Sequence, residues 1–149
     1  FLLRTTMGYP SGEAEEELLR RRLERGTDEV TLSTIGAAGA FAAAPLAVVA
    51  VHVDPRLLRY CVDLGRATRE APHLGVGSSP RGTLALAKLA RAVALLERRD
   101  HVGPDDIRAV AVPALAHRVV LSDDAWARRT DPEDVVREAV DSVPVPDWS

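Results

Sequence analysis

A small all-α helical bundle, led by one short N-terminal strand, is the fold this 149-residue sequence predicts. Three observations predict it. Hydrophobic residues make up 46% of the chain but aromatics only 4%, so the core must be built from Ala, Val and Leu. Such residues suit close helix packing better than a sheet sandwich. Proline-led helix starts recur at Asp54-Pro55, Ser79-Pro80, Gly103-Pro104 and Asp131-Pro132. The apolar residues that follow them keep a 3–4 spacing, as in Leu57, Leu58, Cys61, Val62 and Leu64.

Residues 1–8 read as a strand, ended by the breakers Gly8-Tyr9-Pro10-Ser11-Gly12. A lone strand must pair with a sheet outside this sequence or fold back on the domain. As an orphan edge it is expected to promote self-association. Residues 13–24 predict a strong helix, with acids in the first turn and arginines in the last. Glu16 with Arg20 and Glu17 with Arg21 stand in the favourable i, i+4 order, and Gly26 ends the helix.

Residues 30–53 contain no Asp, Glu, Lys or Arg, nominally the length of a membrane span. Their apolarity is weak, being mostly Ala with Gly36, Gly39, Pro45 and His52. A buried helix, kinked or divided at Pro45, fits this run better than a span. Asp54-Pro55 then opens a helix through Leu64 and Gly65, and residues 68–79 form a Gly-, Pro- and Ser-rich loop. Residues 80–99 predict the longest helix, with Leu86, Leu89, Val93 and Leu96 as its main apolar face. The helix opened by Gly103-Pro104-Asp105-Asp106 should stop near Val112, ahead of Pro113. Residues 116–122 stay open between a helix end and a short strand. Asp131-Pro132-Glu133 starts a last helix to about Ser142, and Val143-Pro144-Val145-Pro146 is an extended tail. The organisation expected is a strand and hinge over 1–10, a helical domain over 11–143 and a tail over 144–149.

The net charge of −3 offers no overall basic excess for nucleic acid or an anionic membrane. Lys88 is the only lysine. Cys61 is the only cysteine and sits among apolar residues, so it reads as core, with no intramolecular disulfide and a cytoplasmic location expected. Residues 1–4 do not have the pattern of a signal peptide. The only methionine is Met7, as expected of a fragment or processed product. His52, His73, His101 and His117 lack metal-ligand spacing. Arg81, Lys88, Arg91 and Arg98 form a loose basic stripe, interrupted by Leu84 and Leu95, that reads as a solvated or subunit-facing side. Asp123-Asp124 and Asp131 read as turn and cap chemistry, and Trp148 as a surface or packing anchor.

The most informative stretch is Leu74-Gly75-Val76-Gly77-Ser78-Ser79-Pro80-Arg81-Gly82. An apolar-Gly loop leading into Ser-Pro-Arg-Gly at a helix start resembles the second sensor motif in the lid of MoxR-family AAA+ ATPases. Further pieces match that family in order. Phe1-Leu2-Leu3-Arg4 with Gly8-Tyr9-Pro10 resembles the last strand of its nucleotide domain and the hinge into the lid. Val51-His52-Val53, Tyr60 and Ala67-Thr68-Arg69 resemble the middle of the lid. Val102 with Pro104-Asp105-Asp106-Ile107, then His117-Arg118, resembles its later helices, and Val143-Pro144-Val145-Pro146 its end. The stretch 35–49 departs from the family, which carries charges and no proline there.

The resemblance implies that Arg81 senses the γ-phosphate of ATP, with Tyr9, Pro10, Ser79 and Pro80 beside the nucleotide. It implies ATP and Mg²⁺ in the intact protein and none bound by this stretch alone. It also implies contacts with the chain's own nucleotide domain, a ring of subunits, commonly hexameric, and von Willebrand factor A-domain partners. In the family, the arginine that reaches a neighbour's nucleotide sits directly before the position of Phe1. The sequence holds no G-x-x-x-x-G-K-[ST] loop and no apolar strand ending in paired acids, so hydrolysis by this stretch alone is not expected. Two other readings stay open. One is a stand-alone helical protein-interaction module. The other is a helical nucleic-acid-binding domain using the stripe around Lys88 and Arg91, which would bind DNA in a salt-dependent way.

Overall fold

The computed structural model describes residues 1–34, 36 and 38–147. Ile35 and Trp148, both part of the sequence reading, lie outside the described residues. Among the described residues the order is α1 (Gly12–Arg25), α2 (Ala38–Ala50), α3 (Pro55–Glu70), β1 (Leu74–Val76), α4 (Pro80–Leu96) and α5 (Pro104–Leu115). A 3-10 turn (Ala116–Arg118), β2 (Val120–Leu121), α6 (Asp123–Ala127) and α7 (Pro132–Asp141) complete it. The all-α expectation holds, with one small sheet added. The chain divides into two compact units, Thr5–Ala42 and Phe1–Arg4 with Ala43–Ser149.

In the first unit, the Ser11 hydroxyl caps α1 by accepting from Ala14 N–H, and the helix ends at Gly26. Glu17 pairs with both Arg20 and Arg21, and Arg20 also reaches Glu24. The expected Glu16 pair is replaced by this chain of ions. No residue of α1 is buried.

α2 runs through Pro45 without a break. The reading of this stretch as a buried helix is corrected: Phe41, Leu46 and Val49 are all exposed. Alanine and glycine offer little apolar area, so the drive to bury the stretch is weak. No helix among the described residues is long and apolar enough to cross a membrane.

The core of the second unit lies between α3, α4, α5 and α7. Leu57, Tyr60, Cys61 and Leu64 meet Leu86, Ala90 and Ala94, and these meet Ile107, Ala111, Leu115, Val136 and Val140. On α4 the fully buried line is Gly82, Ala85, Leu86, Ala90 and Ala94. The predicted leucine face is therefore displaced toward small residues. Leu89 and Val93 pack at its edge, and Leu96 is exposed. Alanines let helix axes approach closely, so the α4 contacts are made by backbone-near atoms. α4 stops at Leu96 because Arg98 turns left-handed (φ 60°), with Arg99 N–H returning to the Ala94 carbonyl.

α5 passes the expected stop at Val112 and continues through Pro113 to Leu115. Proline removes one helical donor, and packing of Ile107, Ala111, Ala114 and Leu115 outweighs that loss. Its start is fixed by Asp106, whose carboxylate accepts from Gly103 N–H (2.7 Å) and takes both arms of Arg99 (2.5 and 2.8 Å). Burial raises the pKa of Asp106, but the Arg99 and Gly103 hydrogen bonds outweigh it and hold the carboxyl below its ordinary value. Residues 116–122 resolve into both options left open, a 3-10 turn and then β2. β2 pairs antiparallel with β1, inside what the sequence presented as pure loop. The predicted N-terminal strand does not form: residues 1–10 pair with no strand. An extended segment with no ladder partner cannot be a strand.

Candidate functional site

The loop between α3 and α4 is fastened to α3 by two buried or half-buried bonds. Thr68 at the end of α3 is fully buried. Its hydroxyl donates to the Gly65 carbonyl (2.8 Å) and accepts from Ser78 N–H (2.9 Å). Arg69 Nε donates to the Ser78 carbonyl (2.7 Å). A threonine and an arginine in adjacent positions thus hold both backbone groups of one loop residue. Each satisfies a polar group that would be costly to bury unpaired.

Two glycines make this approach possible. A Cβ on Gly77 would lie 2.4 Å from Arg69 Cα and 2.5 Å from the Thr68 carbonyl oxygen. A Cβ on Gly82 would lie 2.0 Å from Ser78 Oγ and 3.1 Å from Leu115 Cδ2. All but the last of these distances are far inside van der Waals contact. On the far side of the loop, β1 is laced to β2, and Ser122 N–H donates to the His73 carbonyl (3.0 Å).

This clamp delivers the chain to the first turn of α4. Ser79 occupies the N-cap position with extended backbone and Pro80 follows at N1, as the sequence predicts. The Ser79 hydroxyl makes no capping bond, so the first turn keeps unsatisfied donors. Arg81 projects from that turn and is exposed. Among the described residues its side chain makes no hydrogen bond or ion pair, in a chain where arginines such as Arg21, Arg59, Arg99 and Arg128 pair with carboxylates.

Arg81 and Lys88, also unpaired, line a pocket of about 400 Å³ with Leu84, Ala85, Arg118, Phe1 and Leu2. Three cations and no carboxylate surround it. An unpaired guanidinium at a helix N-terminus, with the unpaired Lys88 beside it, suits an anion with several oxygens, whereas Arg118 is occupied by backbone carbonyls.

Of the expected site residues, the structure brings Ser79, Pro80 and Arg81 together. Tyr9 and Pro10 belong to the Thr5–Ala42 unit, where both are exposed. The basic stripe is broken, because Arg98 lies past the end of α4 in a left-handed turn. No group of three potential metal ligands occurs among the described residues. His52 and His101 instead face each other across a parallel bridge, which ties the entrances of α3 and α5. Cys61 is buried, and burial pushes its thiol up to about 12. The roles of Thr68, Gly77 and Arg118 were not readable from residue type. Only their place in the ordered family resemblance marked Thr68-Arg69 and His117-Arg118.

The AAA lid domain model matches residues 66–139, a span that contains the clamp and Arg81. Fold and site therefore define an AAA lid domain. The chain is 38% identical over 146 residues to the uncharacterized protein YeaC of Bacillus subtilis, covering 98% of this chain and 45% of that protein. It is 32% identical over 155 residues to the chaperone MoxR1 of Mycobacterium tuberculosis, covering 98% of this chain and 40% of that protein. A crystal structure described as a candidate ATPase of Cytophaga hutchinsonii superposes with a TM-score of 0.89 at 25% identity. That match covers 99% of this chain and 47% of the other. The chain spans less than half the length of these relatives, and it belongs to the MoxR family of AAA+ ATPases as a lid region.

Proposed function

We propose that this chain is the nucleotide-responsive lid of a MoxR-type AAA+ ATPase and that Arg81 is its sensor for the γ-phosphate of ATP. The observation that carries the reading is an arginine left without a partner at the first turn of α4, on a loop clamped to α3 through Thr68, Arg69 and Gly77. The clamp makes Arg81 and the lid core move as one body. Attraction of Arg81 to a phosphate then becomes a force on the lid. In the intact protein Ser79 and Pro80 shape the approach, Tyr9 and Pro10 lie at the hinge beside the nucleotide, and ATP with Mg²⁺ is held by the nucleotide domain.

The relative MoxR1 is named a chaperone, which supports a role in remodelling or maturing client proteins. Family membership supports assembly into a ring, which we take to be hexameric, in the cytoplasm, with von Willebrand factor A-domain proteins as partners. The test is Arg81→Ala in the intact ATPase. A charge-assisted hydrogen bond contributes about 1.5–3 kcal/mol, so its loss in the transition state slows hydrolysis by roughly 10–150-fold. Hydrolysis at the wild-type rate in a folded variant would remove Arg81 from the mechanism.

A further inference from the structure

The C-terminal end of α5 carries a set of bonds that the sensor reading does not use. The last carbonyls of a helix lack partners within it and form the negative end of its dipole. Here the Pro113 carbonyl accepts from Arg4 N–H (3.0 Å) and meets His117 Nδ1 (3.1 Å). The Ala114 carbonyl accepts from Arg118 Nε (2.9 Å). The other arm of Arg118 donates to the Phe1 carbonyl and lies 3.4 Å from the Leu2 carbonyl. One guanidinium therefore joins the end of α5 to the extended segment Phe1–Arg4, and the Arg4 amide fastens that segment a second time.

The segment so held is also a wall. Phe1, Leu2 and Arg118 form one side of the pocket whose other side is Arg81, Leu84, Ala85 and Lys88 of α4. We propose that Arg118 is a positioning residue, which pins Phe1–Arg4 to the end of α5 and so fixes the pocket wall that faces Arg81. The part of this that concerns nucleotide rests on the sensor role of Arg81. Arg118 touches no ligand in this scheme. It acts through the backbone of Phe1 and Leu2, so that a pull on Arg81 is passed to the segment leading into the lid. The geometry needs arginine: a planar fork reaches carbonyls on both sides at once, whereas a lysine ammonium is one point charge on a flexible stem.

Hydrogen exchange at the Arg4 amide, read by NMR on this 149-residue chain, tests the pin. Arg118→Ala is expected to speed exchange at Arg4 at least about tenfold while amides of α3, α4 and the first turns of α5 keep their protection. Arg118→Lys is expected to fall between the two, and it serves as the reading variant should Arg118→Ala not fold. Unchanged exchange at Arg4 in the variants overturns the proposal. In the intact ATPase, Arg118→Ala is expected to lower kcat about tenfold with KM for ATP within about twofold. Faster exchange at Arg4 with wild-type kcat would overturn the transmitted pull. Arg81→Ala is the control that separates the two readings. If it leaves both Arg4 protection and hydrolysis intact, the sensor role fails and the pin stands.

Discussion

Replacing Gly77 by alanine tests the clamp directly. The new Cβ would start 2.4 Å from Arg69 Cα and 2.5 Å from the Thr68 carbonyl oxygen, both backbone atoms of a packed helix. Carbon atoms rest about 3.5–4.0 Å apart, so the loop must withdraw by about 1 Å or more. A withdrawal of that size carries Ser78 N···Thr68 Oγ1 from 2.9 Å, and Arg69 Nε···Ser78 O from 2.7 Å, beyond hydrogen-bonding distance. Two lost bonds, one from a partly exposed cation, cost about 1.5–3 kcal/mol. Staying in place and absorbing the overlap costs about 1–3 kcal/mol instead. Urea unfolding should therefore show a loss of about 1.5–3 kcal/mol at unchanged m, and a lower melting temperature. Gly75→Ala is the matched control, since its Cβ would meet the Leu121 carbonyl oxygen at 3.4 Å and nothing nearer. The amide signals of Ser78 and Arg81 should move in Gly77→Ala and stay put in Gly75→Ala. A Gly77→Ala protein within about 0.5 kcal/mol of wild type, with Arg81 unmoved, would refute the clamp.

Further outcomes follow from the same structure. Arg81→Ala should leave the stability of this chain within about 0.5 kcal/mol, because it removes an exposed side chain with no partner; a larger loss in thermal unfolding would contradict its isolation. Asp106→Ala removes a buried carboxylate that both starts α5 and neutralises Arg99. A loss of about 2–4 kcal/mol is expected, below the figure for a fully buried pair because Arg99 is partly solvated, and a loss under about 1 kcal/mol would contradict this. Because the folded-state pKa of Asp106 is depressed, its contribution is present above the ordinary carboxylate range and fades as pH falls through the depressed value. Acid titration should thus destabilise the wild type more than Asp106→Ala, which keeps only the contributions of other depressed carboxylates such as Asp54. Cys61 should not react with a thiol reagent at pH 8 in the folded chain, since it is buried and burial pushes its thiol up to about 12, and should react at once in denaturant.

Much of this fold is legible in the sequence because its helix starts are chemical. Asp54 and Asp131 cap α3 and α7 through their carboxylates, and proline follows at both, as their local patterns require. Local rules fail where tertiary packing decides. Pro113 looks like a stop, yet α5 continues because its neighbours Ala111, Ala114 and Leu115 are buried where α5 packs against α4 and α7. Leu96 looks like core, yet the close α4 contacts select its alanines. The two-stranded ribbon of β1 and β2 is invisible because its strands, three and two residues long, lie more than forty residues apart. Short segments carry no periodicity to read.

The site was legible in a different way. Arg81 could be singled out because Ser-Pro-Arg-Gly at a helix start, in order with the other matching pieces, resembles the second sensor motif of the family. What makes that charge useful was hidden, since it resides in contacts rather than residue types. A free arginine on a flexible loop would bind a phosphate and follow it, leaving the rest of the domain where it was. An arginine on a loop whose backbone is held by Thr68 and Arg69 cannot do so. It must either forgo the phosphate or bring α3 and α4 with it. The unused capping position at Ser79 fits the same logic, because a side chain bonded there would compete with an incoming anion for the first-turn donors. In the proposed sensor scheme the clamp is the part that turns binding at one side chain into displacement of a domain, and Gly77, the residue with least chemistry, is the one on which the clamp depends most.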